Sequence, residues 1–259
     1  MTTFKVLLEY DGTRYSGWQD QKNARTVMGE LKKAAREVFG AEADMQGAGR
    51  TDAGVHALGQ VMHMKVTAQV RHQPDTIKRR LNDLLPKDIV ILDVSRAPRA
   101  FHARHDALAR VYIYQISGRK QAFTKRYVWW IKEDLNVGLM SEAAQMLAGR
   151  HNFICFRAAD PSKPGESTIV EVENAEIETE EGIIQLRIEA SHFLWRMVRR
   201  IVGVLVKLGE GEMTLADFQK LLEGKCDPKL DVAAWTAPAS GLFLEQIRYP
   251  AEAATLIEQ

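Results

Sequence analysis

The stretch 43-ADMQGAGRTDAGVHALGQVMHMKV-66 decides how the chain folds. It reads as two strands, ADMQG (43–47) and ALGQVMHMKV (57–66), joined by a glycine-rich loop with no helix between them. Before it, FKVLLEY (4–10) alternates as a strand and TVMGELKKAAREVFG (26–40) is an amphipathic helix closed by glycine. After it, PDTIKRRLNDLL (74–85) is a helix opening on proline and DIVILDVSRA (88–97) another strand. The order β-α-β-β-α-β is a split βαβ unit, ferredoxin- or RRM-like.

The second half repeats that order more loosely. It runs through strand RVYIYQIS (110–117), helix GLMSEAAQMLAG (138–149), and strands STIVEVENAEIE (167–178) and GIIQLRIEA (182–190). A helix HFLWRMVRRIVGVLVKLG (192–209), a shorter one TLADFQKLLEG (214–224) and a last strand GLFLEQIRY (241–249) complete it. Element order, without an alignable repeat, predicts an α+β protein of two related halves, residues 1–104 carrying the glycine loop and 105–259. The join 97-APRAFHARHDAL-108 contains no low-complexity linker, so the halves are expected to pack tightly with a cleft between them.

At 259 residues, 46% hydrophobic and 27% charged, the composition is that of an ordinary globular protein. No uncharged apolar run of eighteen residues occurs, and MTTFKVLLEYDG reads as a strand rather than a secretory segment, so the expectation is a cytoplasmic protein with no membrane partner. Cys155 and Cys226 lie far apart in sequence without C-x-x-C spacing; ordinary reduced thiols are expected, with no disulfide and no metal site.

The net charge of +1 hides an uneven distribution. From Lys65 to Arg126 there are fourteen Lys or Arg against five Asp, while Glu166 to Glu181 holds seven Glu and no basic residue. Charge clusters commonly solvate a face, but an arginine-rich basic region also suits a polyanion.

The loop itself fails the tests for phosphate cradles. A P-loop requires Lys and Ser or Thr after its last glycine, and a dinucleotide fingerprint opens a helix; here the spacing is G-x-G-x-x-x-x-G, with Asp52 inside and a strand after it. Asp52 is either a turn-forming residue or a nucleophile kept ionised by a neighbouring cation. No second carboxylate stands beside it, which disfavours two-metal hydrolysis and glycosidase-type acid–base pairing and favours single-carboxylate covalent chemistry.

Five segments occur together in order: 10-YDGTRYSGWQ-19, 49-GRTDAGVHALGQ-60, 110-RVYIY-114, 197-MVRRIVG-203 and 238-PASGLFL-244. With them the chain, from about residue 4 to 249, closely resembles the tRNA pseudouridine synthase A family. Met28 stands where that family usually has glutamine, which touches a helix-start contact but none of the chemical positions. The resemblance implies a pseudouridine synthase fold, with a central antiparallel or mixed sheet and an active-site cleft between the halves. It implies an isomerase that converts uridine to pseudouridine at positions 38, 39 and 40 of the tRNA anticodon stem-loop, acts as a homodimer, and uses no cofactor.

By the same resemblance Asp52 is the nucleophile, Arg199 its ion-pair partner, and Tyr112 the ring that stacks on the target base and assists proton transfer. Arg50 matches the residue that inserts into the RNA, and Leu242 an apolar residue lining the base pocket. The residues alone leave blander readings open: a snorkelling surface arginine at 199, strand packing for Tyr112 and Tyr114, a plain core leucine at 242. His56 and His63 read as hydrogen-bonded or exposed histidines rather than ligands, and Trp18 as packing that shapes the loop. The loop glycines are expected to give an RNA backbone steric clearance. Two further readings are a non-catalytic RNA-binding module and a nucleotide-binding regulator.

Overall fold

The computed structural model describes residues 1–67, 70, 72–159 and 165–250. Arg71, part of the basic region, lies outside them. The chain divides into two compact units, Met1–Leu108 with the residues from Phe243, and Ala109–Leu242.

The first unit has β1 (Thr2–Tyr10), α1 (Val27–Phe39), β2 (Ala43–Gly47), β3 (His56–Val66), α2 (Pro74–Leu84) and β4 (Ile89–Ala97). Its strand order is β4-β1-β3 with β2 on the far side of β3, every pair antiparallel. This is the split βαβ arrangement expected from the sequence. Period-2 patterning puts Phe4, Val6 and Leu8 of β1 on one face, each fully buried, and Phe4 stacks on Phe39 of α1 at 6.4 Å between ring centroids. Burying each such side chain contributes about 1.5–3 kcal/mol. α1 starts where the Thr26 side chain accepts from Gly29 N–H and stops at Gly40, at φ 65°. Met28 fills the buried face of α1, and its backbone N–H reaches Trp18 O at 3.0 Å, so the helix-start tie is made by main chain whatever the side chain.

The register of β1 against β3 shifts between Leu8, opposite Gln60, and Tyr10, opposite Ala57. Such a bulge re-aims the side chains next to it, here at the mouth of the glycine loop. A later strand, β10 (Leu242–Arg248), adds to this sheet: Phe243 and Leu244 pair in parallel with His56 and Ala57.

The second unit has β5 (Ala109–Ser117), β6 (Trp129–Trp130), α3 (Val137–Gln145), β7 (Gly149–Asn152), β8 (Ile169–Glu180), β9 (Ile183–Ala190), α4 (Met197–Gly209) and α5 (Leu215–Leu222). Strands β5, β9, β8 and β7 are neighbours in that order and antiparallel, and β6 lies parallel to β5.

Three expectations are corrected here. The helix expected from residue 192 begins at Met197, because Arg196 sits at φ 60°; the Trp195 carbonyl accepts from Ala158 N–H at 2.9 Å. The short strands β6 and β7 have no counterpart among the expected elements. Finally, Cys155 and Cys226 form a disulfide, with Cα atoms 5.4 Å apart across 71 residues. Sequence distance misled: the 3-10 turn Phe153–Phe156 packs on α5 through Phe156 and Phe218, rings 6.2 Å apart, which returns the chain after α5 to Cys155.

Candidate active site

Asp52 lies half-buried in the loop between β2 and β3. It opens a turn in which Val55 N–H donates to Asp52 O at 3.1 Å and Gly54 takes φ 79°. The residues that lead into the turn are tied to the core. Thr51, 7% exposed, shares a 2.7 Å hydrogen bond between its hydroxyl and that of Tyr10, and its carbonyl accepts from Trp18 N–H at 3.0 Å. Two residues earlier, Gly49 is held by fully buried Gln60 of β3, which donates from Nε2 to Gly49 O at 2.9 Å and accepts from Gly49 N–H at 3.4 Å. Arg50, between the two ties, is exposed. Burial pushes the Tyr10 phenol up to about 12, against the opposing hydrogen bonds of Thr51 and Gln60, so it stays protonated near neutral pH.

The glycine expectation needs revision at Gly47. A Cβ there would lie 2.5 Å from Cζ2 of Trp18, whose ring is 2% exposed. The space goes to the protein's own tryptophan, in agreement with Trp18 as the residue that shapes the loop. RNA clearance is not needed to explain this glycine.

The two histidines of β3 serve as hydrogen-bond acceptors. His56, 1% exposed, accepts from Gly12 N–H at Nδ1, 3.1 Å, and stacks on Phe243 at 4.7 Å. Asp11 Oδ1 also lies 3.2 Å from that nitrogen. His63 accepts from Ala103 N–H at 3.1 Å. Burial first, then His102 and Lys65, lower its pKa to about 4.

In the second unit, Arg199 occupies the first turn of α4, third from its start. Its Nε donates to Ala237 O at 2.7 Å, and Ala237 N–H donates back to Arg199 O at 3.0 Å. A Cβ on Gly203 would meet Trp235 O at 1.7 Å, so the residues before 238-PASGLFL-244 run against the helix and require glycine there. Tyr114, fully buried, donates its hydroxyl to Pro238 O at 2.8 Å. Burial raises its pKa, and the charge of Arg199 works the other way. Arg199, Tyr114 and the segment 237–242 are thereby brought together. Sequence patterning assigns Tyr114 no role of its own; its signal is its place two residues from Tyr112 on one strand face.

Tyr112 is 8% exposed, with the Phe193 ring edge-on at 5.0 Å. Leu242, the first residue of β10, is 6% exposed. The first turn of α4 holds Arg199 and Arg200, follows Arg196 and contains no acidic residue. Cations at a helix N-terminus oppose the macrodipole by about 0.3–1 kcal/mol each. Helix stability therefore does not account for these arginines; Arg199 Nε donates to Ala237 O, Arg200 Nη1 to Arg157 O, and the Arg196 guanidinium lies over the Trp195 ring.

A split βαβ unit whose glycine loop leads into a strand lacks the helix that a P-loop or a dinucleotide fingerprint opens. The family model described as tRNA pseudouridine synthase matches residues 7–106 and 143–250. A tRNA pseudouridine synthase A of Thermoanaerobacter sp. (strain X514) is 41% identical over 251 residues, covering 96% of this chain and 100% of the relative. The tRNA pseudouridine synthase A 2 of Bacillus anthracis is 36% identical with the same coverage, and the tRNA pseudouridine synthase A of Agrobacterium fabrum is 36% identical over 96% of this chain and 93% of its own. The chain belongs to the tRNA pseudouridine synthase family, and its α+β architecture agrees with the pseudouridine synthase fold.

Proposed function

We propose that the protein isomerises uridine to pseudouridine at positions 38, 39 and 40 of the tRNA anticodon stem-loop, with Asp52 as nucleophile. The observation that carries the reading is the anchoring of the residues that lead into Asp52, Thr51 by the Tyr10 hydroxyl and Gly49 by buried Gln60, inside the segment through which the family is recognised. Covalent catalysis by one carboxylate asks for such a fixed position.

The reaction breaks the N1–C1′ bond, turns the detached uracil and forms a C5–C1′ bond. C5 loses its proton and N1 gains one, so atoms balance without an oxidant or a second substrate. Asp52 attacks C6 of the base or C1′ of the ribose and is regenerated when the new bond is made. Arg199 supplies the cation that keeps Asp52 ionised. Tyr112 stacks on the uracil, and its hydroxyl assists removal of the C5 proton. Extruding the base from its stack costs a few kcal/mol, and Arg50 occupies the vacated space while Leu242 lines the base pocket. The protein acts as a homodimer in the cytoplasm.

The test is incubation with tRNA labelled with tritium at uridine C5. Label release at stoichiometry with pseudouridine formation is expected. Tight tRNA binding without release identifies a non-catalytic RNA-binding module instead.

A further inference from the structure

Beyond the Asp52 loop, the second unit carries a pocket of about 640 Å³ whose lining includes Arg119, Lys120, Lys125, Trp129, Trp130 and Ser240. Its volume suits a small ligand or one nucleotide. The pocket follows from sequence: from Ala107 to Lys132 there are six Lys or Arg and no Asp or Glu. Among the described residues no carboxylate lines it.

The loop that forms it is built around one buried hydroxyl. Ser117, 1% exposed, donates from Oγ to Arg119 O at 2.9 Å and accepts from Arg119 N–H and Gln121 Nε2, both at 3.2 Å. Ile131 N–H then returns to Ser117 O at 3.0 Å, which fixes the two tryptophans of β6 beside β5. Trp129 meets Tyr114 edge-on at 6.3 Å, so the pocket is built against the strand face that carries Tyr114. Trp130 remains 43% exposed with Lys120 Nζ 5.2 Å from its ring centre, and Phe123, between the lining residues Ala122 and Thr124 in sequence, is 95% exposed.

An exposed indole rimmed by cations has the chemistry of a base-stacking platform with phosphate contacts. A second copy of the chain fits less well, because a two-fold contact through this patch sets Arg119, Lys120 and Lys125 against like charges. We propose that this pocket takes an unpaired nucleotide of the substrate tRNA other than the target uridine, its base against Trp130 and its phosphates against Arg119, Lys120 and Lys125. The proposal rests on the tRNA reading above. Tyr112 and Ser117 are five residues apart on β5, roughly 17 Å of strand, so a folded RNA with its target base at Tyr112 spans the distance.

The experiment measures the Kd of unmodified tRNA for the full-length protein and its variants across a salt series, with melting curves to verify folding. Trp130→Ala is expected to weaken binding by about 5- to 150-fold, the range for one stacked base. Trp130→Phe, which keeps a π-face, restores most of it. Lys125→Ala lowers the slope of log K against log salt by about 0.7–0.9 for each phosphate that the lysine neutralises. Kd values within about twofold of the parent for both alanine variants overturn the proposal. So does a change of sedimentation in Trp130→Ala with unchanged tRNA affinity, which marks a protein interface. Absence of C5 label release by the parent protein defeats the catalytic reading alone, because the Kd series is read without turnover.

Discussion

The two units hold their site residues by different means. Around Asp52 the ties run through buried side chains: the hydroxyls of Tyr10 and Thr51, the amide of Gln60, the imidazole of His56, and Trp18 over Gly47. Around Arg199 they run mainly through main-chain carbonyls, those of Ala237 accepting from Arg199 and Pro238 from Tyr114, and a disulfide closes the same unit elsewhere. Side-chain hydrogen bonds in a dry interior fix a loop to within the tolerance chemistry needs, but each leaves a costly orphan when one partner is removed. A tie that is main chain on both sides, such as Ala237 N–H to Arg199 O, survives substitution of the side chain.

The contrast predicts that reductant acts on the second unit and acid on the first. Closing 71 residues, the disulfide is worth about 4 kcal/mol by loop entropy, so Cys226→Ser, or reduction of the parent, is expected to lower Tm by many degrees in calorimetry. An unchanged Tm shows that the bridge does not staple the unit. Arg199→Ala removes the side-chain bond to Ala237 O and keeps the main-chain bond from Ala237 N–H, so the fold is expected to persist. The same variant is expected to lose about 10²- to 10³-fold in single-turnover rate. Near-parental product formation by it refutes the role of Arg199 as the charge partner.

Tyr10→Phe leaves the buried Thr51 hydroxyl without its partner, a loss of about 1–3 kcal/mol in urea unfolding. Turnover falls with it if the Thr51 tie positions Asp52, and stability loss with undiminished turnover separates the two. The smallest effect concerns His63. Its folded pKa is depressed from 6.5 to about 4, so the neutral ring is the form the fold prefers. That stability is complete above pH 6.5 and is lost as the pH falls toward about 4. Proton NMR of His63 with a midpoint near 6.5 contradicts this.

Much of the fold is legible in the sequence because local chemistry and final structure agree. The capping threonine and terminal glycine of α1, the proline opening α2 and the period-2 strands each state their own element. What escapes is non-local. Trp129–Trp130 and Gly149–Asn152 are too short to show a period, and they are strands only because β5 and β8 lie alongside. The periodicity of 192–209 continues through Arg196, whose left-handed backbone accompanies the bond from Ala158 to Trp195 O. Cys155 meets Cys226 through the aromatic packing of Phe156 on Phe218, which nothing beside either cysteine in the sequence announces. The parallel pairing of β10 with β3 is of the same kind. At the site, the motif segments point to Asp52 and Arg199, whereas the structural duties of Gln60, Tyr10 and Tyr114 emerge only once their partners are in place.

Asp52 stands at the centre of the proposed chemistry as the group that does the covalent work on tRNA. The most direct test is to map pseudouridine in tRNA from cells lacking the protein and carrying either the parental gene or an Asp52→Ala copy. Pseudouridine at positions 38–40 should return with the parental copy and stay absent with Asp52→Ala at equal protein level. Restoration by the alanine copy would contradict the account.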